Sequence, residues 1–165
     1  MRWSRIFPMF IAFPALIQAQ GGEASPVAPS PIESEARDFM DDYADDLKAG
    51  RRQSIADRYD KRGAYRVGEG QKILESMDAI RSNYLNGWAP PASFRWRDLS
   101  FEPLSRDAIV VTGYFDWGTG TGKKLAFSYT SLLVRQDGVL RIRLEDESAD
   151  PKSVTPPKPM GSGRN

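Results

Sequence analysis

Val134-Arg135-Gln136-Asp137-Gly138-Val139-Leu140-Arg141-Ile142-Arg143-Leu144-Glu145-Asp146-Glu147-Ser148 is the stretch on which the fold turns. Leu140, Ile142 and Leu144 alternate with Arg141, Arg143 and Glu145, the period of two expected of a strand with one dry and one wet face. Gln136-Asp137-Gly138 reverses the chain ahead of it, since Asp and Gly suit tight turns. Working back, Lys124 to Arg135 is the preceding strand, and a glycine-rich turn separates it from Ala108-Ile109-Val110-Val111-Thr112-Gly113-Tyr114-Phe115-Asp116-Trp117. That run is long and β-branched, as strands are. Phe94-Arg95-Trp96-Arg97, extending towards Leu99 and Phe101, begins the meander.

Upstream of Ser93 the period becomes helical. A first helix starts between Pro31 and Ser34 and runs to about Ala49, with Ala36, Phe39, Met40, Tyr43, Ala44 and Leu47 on one face. Gly50 is its stop. A short second helix covers Arg52 to Tyr59, and Gly63 to Gly68 reads as a short strand closed by Gly68-Glu69-Gly70. A third helix is expected from about Gln71 to Trp88, ended by Pro90-Pro91. Helices followed by an antiparallel meander give an α+β domain, three N-terminal helices packed on an antiparallel sheet.

The ends have a different character. Arg2 and Arg5 precede an apolar stretch from Ile6 to Ile17, and Ala19 stands where a peptidase would cut, so residues 1–19 read as an export signal. A membrane-spanning helix would need about 20 apolar residues, and this run is shorter and carries Pro8 and Pro14. The expected destination is periplasmic or secreted, with membrane contact only transient, during export. Residues 20–31 form a Pro/Ser/Gly linker, residues 32–149 the domain, and residues 150–165 a disordered tail rich in Pro and Gly.

Composition removes several kinds of chemistry. Setting aside Arg2 and Arg5, 21 of the 23 basic residues face 22 acidic ones, so the mature chain is near neutral and nucleic acid is not its expected partner. The chain has no Cys and no His, which excludes thiolate nucleophiles, zinc–thiolate sites and the commonest general base. Catalysis would have to run on Asp, Glu, Tyr, Lys or Arg, and no metal or other cofactor is expected.

The order of elements and several short phrases resemble the nuclear transport factor 2-like superfamily, in its SnoaL-like branch. The phrases are Phe39-x3-Tyr43 with Leu47, Ile55-Ala56-x2-Tyr59, Gly68 to Gly70, Ile80-x3-Tyr84, and the closing Arg135-Gln136-Asp137-Gly138-x2-Arg141-Ile142. The resemblance covers nearly all of residues 34–148. It implies a curved sheet, a cone-shaped pocket between its concave face and the helices, and a homodimer made through the sheet. Its motifs are structural, and fold does not dictate function.

Candidate chemistry is sparse. Five aspartates on the first helix lack the alternating ligands, central Gly and terminal Glu of a calcium loop, and read as a solvated face. Gly118-Thr119-Gly120-Thr121-Gly122-Lys123 misses the phosphate-loop spacing, with Trp117 and Lys124 where Gly and Ser or Thr belong, and joins two strands. Two carboxylates are the catalytic candidates. Asp116 shares a strand with Thr112 and Tyr114 and becomes a useful acid or base if those positions point into the cone; otherwise it begins the turn in water. Asp146 continues the face of Leu140, Ile142 and Leu144, and the resemblance implies an acidic residue on a late strand in the cyclases; a one-residue bulge would turn it outward. The resemblance also points away from ketosteroid isomerase chemistry, since Arg66 or Val67 stands where the base is needed, and from the histidine-dependent scytalone dehydratase pattern. Tyr43, Trp96 and Tyr114 are the expected ligand-binding residues, each pairing apolar area with a polar handle. The expected function is binding of a small apolar or aromatic ligand. The alternatives are an acid/base enzyme of cyclase, isomerase or hydrolase type using Asp and Tyr, and a dimeric interaction module.

Overall fold

The computed structural model describes residues 28–68 and 70–150. The expected export signal, most of the expected linker and the residues beyond Asp150 lie outside the described residues. The first helix, α1, spans Pro31–Ala49. Ser30 caps its start in extended backbone, its hydroxyl accepting the Glu33 amide at 3.4 Å, and proline occupies the first turn, where no amide donor is required. Gly50 ends it in the left-handed region at φ 65°, donating its amide to Leu47 at 3.2 Å. Ala36, Met40, Tyr43 and Leu47 form its buried stripe and lie against the sheet.

Helix α2 (Arg52–Asp57) is brief. After it the backbone of Arg58 and Asp60 bonds to Ile142, which seats Tyr59 in the interior. Strands β1 (Ala64–Gly68) and β2 (Gln71–Glu75) then form a hairpin. Helix α3 (Met77–Ser82) runs into a π-helical turn, Asn83–Gly87. Strands β3 (Ser93–Ser105), β4 (Ala108–Gly118), β5 (Lys124–Gln136) and β6 (Val139–Ala149) complete a six-stranded sheet in the order β2-β1-β6-β5-β4-β3.

Two expectations are corrected here. Gln71–Glu75 is a strand and not the first part of a third helix. The helix begins only after Ser76, whose hydroxyl accepts the Ala79 amide at 3.2 Å. Met77, Ile80 and Tyr84 do follow a helical spacing. Ile73 and Leu74, within the expected helix, are about half exposed on an edge strand paired to β1. Gly63 is required at the base of this hairpin: at φ 91° a Cβ there would sit 2.2 Å from the Glu75 carbonyl oxygen.

The second correction concerns the sheet, which is mixed. β1 runs parallel to β6, pairing Tyr65 with Leu144, Arg66 with Glu145 and Val67 with Asp146. The remaining pairings are antiparallel. Between β5 and β6 the register slips: Leu132 opposes Leu144 but Leu133 opposes Ile142, so Arg143 is an extra residue on β6. A bulge of this kind flips every later side chain to the other face. Leu140 and Ile142 are buried, and beyond the bulge the interior position is Glu145.

Candidate functional site

The bulge fills the interior end of β6 with carboxylates. Glu145 is fully buried and donors converge on its side chain. Tyr43 from α1 and Tyr129 from β5 donate their hydroxyls to Oε1 at 3.3 and 3.2 Å. Tyr59 donates to Oε2 at 2.6 Å, and Arg66 Nη1 lies 3.5 Å from the same oxygen. Removing a carboxylate from water is costly, and donors on both oxygens are what offset it.

Tyr59 is the hub of the network. Its single proton is committed to Glu145, so its oxygen accepts from Arg66 Nη1 at 3.0 Å and from the Tyr84 hydroxyl at 2.8 Å. Burial, reinforced by Glu145, pushes the hydroxyls of Tyr43 and Tyr129 well above the ordinary tyrosine value. Burial raises Tyr59 as well, against the opposing pull of Arg66. Tyr84 is pushed up to about 12, again chiefly by burial. All four are therefore neutral donors at physiological pH. Arg66 is held in its charged form above its ordinary value, first by Tyr59 and then, against its own burial, by Glu145.

Glu147, two residues on, faces the same way but reaches a cavity. Its Oε2 lies 3.7 Å from Arg66 Nη2, and 36% of its side chain is exposed, onto the cavity that it helps to line. Burial is the largest influence on its carboxyl, the charge of Glu145 the next, and Arg66 only partly opposes them. Together they push its pKa up to about 8. A carboxylic acid that changes protonation near neutrality, in a cleft, is a general feature of functional sites.

The cavity has a volume of about 430 Å³. Arg66, Glu75, Asn83, Tyr84 and Glu147 make a polar end. The rest is apolar, and its aromatic walls are Trp88, Phe94, Phe115, Trp117 and Phe127. Trp88 meets Trp117 edge to face with centroids 6.2 Å apart, and meets Tyr84 in the same manner at 5.7 Å. Phe115 stacks on Phe127 at 4.7 Å. Strand alternation puts Phe115 and Trp117 inside, and the π-helical turn carries Asn83 and Tyr84 towards the cavity. Such turns recur at functional sites.

The residues expected from the sequence are scattered. Tyr43 lines the cavity at its inner end. Trp96 does not; it packs against Tyr43 and Tyr129, and its indole nitrogen donates to the Met40 carbonyl at 2.9 Å. Tyr114 and Asp116, on the opposite alternation of β4 from Phe115 and Trp117, face away from the cavity. Tyr114 is 45% exposed under the Arg97 guanidinium. Asp116 accepts from Arg95 Nη2 at 3.0 Å and Arg97 Nε at 2.9 Å; partial burial raises its pKa, but the two arginines outweigh this and hold it below its ordinary value. The register of β4 thus turns Tyr114 away from the cavity where it was expected to bind ligand, and gives Asp116 the outward one of its two expected positions. Asp146 is turned outward by the bulge at Arg143 and accepts from the Ser148 hydroxyl at 2.8 Å.

The sequence reading missed Glu145, Glu147 and the roles of Arg66, Tyr59, Tyr84 and Glu75. A strict period of two put Glu145 on the wet face with Arg141 and Arg143. The available signal was the Glu145-Asp146-Glu147 run at the end of an apolar strand, where one inserted residue decides which carboxylates go inside.

Comparison with solved structures identifies the architecture. A nuclear transport factor 2-like protein of unknown function from Shewanella oneidensis superposes with a TM-score of 0.62 at 13% identity, covering 70% of this chain and 97% of the other. A protein provisionally named a ketosteroid isomerase, from Parabacteroides distasonis, gives 0.60 at 13% identity, covering 74% and 94%. The protein Aln2 from a Streptomyces species gives 0.59 at 20% identity, with the same coverage. No family model matches the chain, and no curated protein matches it in sequence. The chain has the nuclear transport factor 2-like fold, and at these identities the likeness extends to the fold alone.

Proposed function

We propose that this nuclear transport factor 2-like domain binds a small, largely aromatic molecule in the cavity between its helices and sheet, with the polar end of the ligand against Arg66, Glu147 and Tyr84. The observation that carries this reading is the make-up of the cavity wall: mostly apolar, with Trp88, Phe94, Phe115, Trp117 and Phe127 in it, and with Arg66, Glu147 and Tyr84 joined in one polar network. Its volume lies within the usual range for small-molecule sites, roughly 300–1,000 Å³. Apolar walls supply affinity, and a few placed polar groups set orientation. Native mass spectrometry of the purified chain, followed by denaturing extraction, tests the reading. A co-purifying small molecule that Trp88→Ala removes is the expected result. An empty chain that takes up no small aromatic compound would sink it.

A second reading, acid/base catalysis, is favoured by one observation. Glu147 faces the cavity with a pKa of about 8, so it can take or give a proton at neutral pH, and Arg66 Nη2 lies 3.7 Å from its Oε2. On this reading the carboxyl in play is Glu147, in place of the aspartates expected from the sequence. Turnover of a bound ligand that Glu147→Gln abolishes, with ligand affinity retained, would support it. Export to the periplasm or beyond, and pairing with a second copy through the sheet, belong to the same proposal and rest on residues 1–19 and on the resemblance.

A further inference from the structure

We infer that the cavity selects a cationic ligand, an organic ammonium ion on an aromatic or alicyclic body, whose nitrogen lies beside Glu147, flanked by Tyr84 and Trp88, with Glu75 adding negative charge to the same cavity wall. This inference rests on the reading of the cavity as a small-molecule site and adds the charge of the ligand.

Charge balance at the polar end is the first argument. Glu75 and Glu147 line the cavity and Glu145 stands directly behind it, against a single guanidinium, that of Arg66. Arg66 is already engaged: Nη1 donates to the Tyr59 hydroxyl and faces Glu145, while Nη2 faces Glu147. A carboxylate or phosphate ligand would meet two acidic side chains and a cation whose charge is spent. Glu75 meets a neutral amide, with Asn83 Nδ2 donating at 3.4 Å. In a site of low effective dielectric this imbalance favours an incoming cation.

The walls are the second argument. Tyr84, Trp88 and Trp117 form a continuous run of edge-to-face rings leading away from the acidic end. Ring faces that meet at steep angles present negative quadrupole surfaces to a cation from more than one side, the arrangement by which alkylammonium groups are recognised. The rest of the molecule then lies along Phe94, Phe115 and Phe127.

Binding is coupled to protons. The groups whose charges act on Glu147 or respond to it are Arg66 from β1, Glu145 on the same face of β6 and Asp146 on the opposite face, Tyr84 from the π-helical turn, and Tyr59 and Tyr129 across the network. Of these, only Arg66 favours its ionised form strongly. An ammonium ion adds a second favourable charge, so its arrival expels the proton that Glu147 otherwise keeps up to about pH 8. Affinity for a permanent cation therefore rises as pH rises towards that value and levels off above it.

The test is a matched series of probes titrated calorimetrically into the purified chain: tryptamine and a trimethylated tryptamine as cations, 3-ethylindole as the neutral body, and indole-3-propionate as the anion. Cations are expected to bind at least about tenfold more tightly than the neutral body, and the anion more weakly than either. At pH 6.5, titration in two buffers of different ionisation enthalpy should reveal release of up to about one proton per cation bound, falling away by pH 9. Glu147→Gln should reduce cation affinity by about tenfold while leaving 3-ethylindole within about twofold, and Glu75→Gln should act in the same direction. If the neutral body or the anion binds as well as the cations, the charge assignment is wrong and the cavity reading stands. If no probe binds, both fall. Because the wild-type series decides between these outcomes, the inference does not depend on either variant folding.

Discussion

Arg66 on β1 and Glu145 on β6 are register partners across the parallel pairing of the sheet, with Nη1 of one 3.5 Å from Oε2 of the other. That backbone register places a guanidinium beside a carboxylate in the interior and also within reach of Glu147. The two partners act on Glu147 in opposite senses: Glu145 raises its pKa and Arg66 lowers it.

Carboxyl carbon titration by NMR should display this opposition. In Glu145→Gln the Glu147 midpoint falls below about 8, because the neighbouring charge is gone. In Arg66→Met it rises above that value. An unmoved midpoint in both variants would show that burial alone controls Glu147.

Stability should carry a matching pH dependence. Unfolded, Glu147 titrates near 4.5; folded, near 8, so between these values the folded chain holds the proton that the unfolded chain has lost. Stability from this group is present below the unfolded value and is lost as pH rises through the folded one. The melting temperature of Glu147→Gln should therefore fall less between pH 5 and 8 than that of the wild type. Parallel curves would contradict the shift.

Tyr59→Phe removes the hydroxyl that joins Glu145, Arg66 and Tyr84. The ring still fills its place, so the loss is electrostatic, on the order of 1–3 kcal/mol for a buried carboxylate deprived of a donor. Chemical denaturation would measure it. A change below a few tenths of a kcal/mol would mean that water replaces the hydroxyl.

Outside the cavity lining, Asp46 on α1 is buried and paired with two arginines, Arg51 Nε at 2.5 Å and Arg58 Nη2 at 2.5 Å. Asp46→Asn should cost about 3 kcal/mol, as breaking a buried pair does. Cavity binding should survive it at temperatures where the variant stays folded.

Much of this fold was legible from side-chain periods. Strands β3 to β6 show their alternation, and α1 shows its stripe of Met40, Tyr43 and Leu47 together with the Gly50 stop. What escaped was set by pairing between distant segments. Gln71–Glu75 shares an apolar spacing with the helix after it, and only its partner β1 makes it a strand. The site escaped for a similar reason. Tyr43 could be picked from its helix face, but the choice between Asp146 and its neighbours depends on Arg143 standing out of register. Tyr114 is expected inside from its neighbours but lies outside, because Phe115 and Trp117 are the residues that β4 turns inward, and the same register decides the open choice for Asp116.

The most direct test of the account follows the indole N–H signals of Trp88, Trp96 and Trp117 by NMR while 3-ethylindole or tryptamine is added. Trp88 and Trp117 line the cavity, whereas Trp96 is packed outside it with its N–H bonded to Met40. The account predicts saturable shifts at Trp88 and Trp117, and a much smaller change at Trp96. Saturable binding that leaves Trp88 and Trp117 unmoved would place the ligand elsewhere and contradict it.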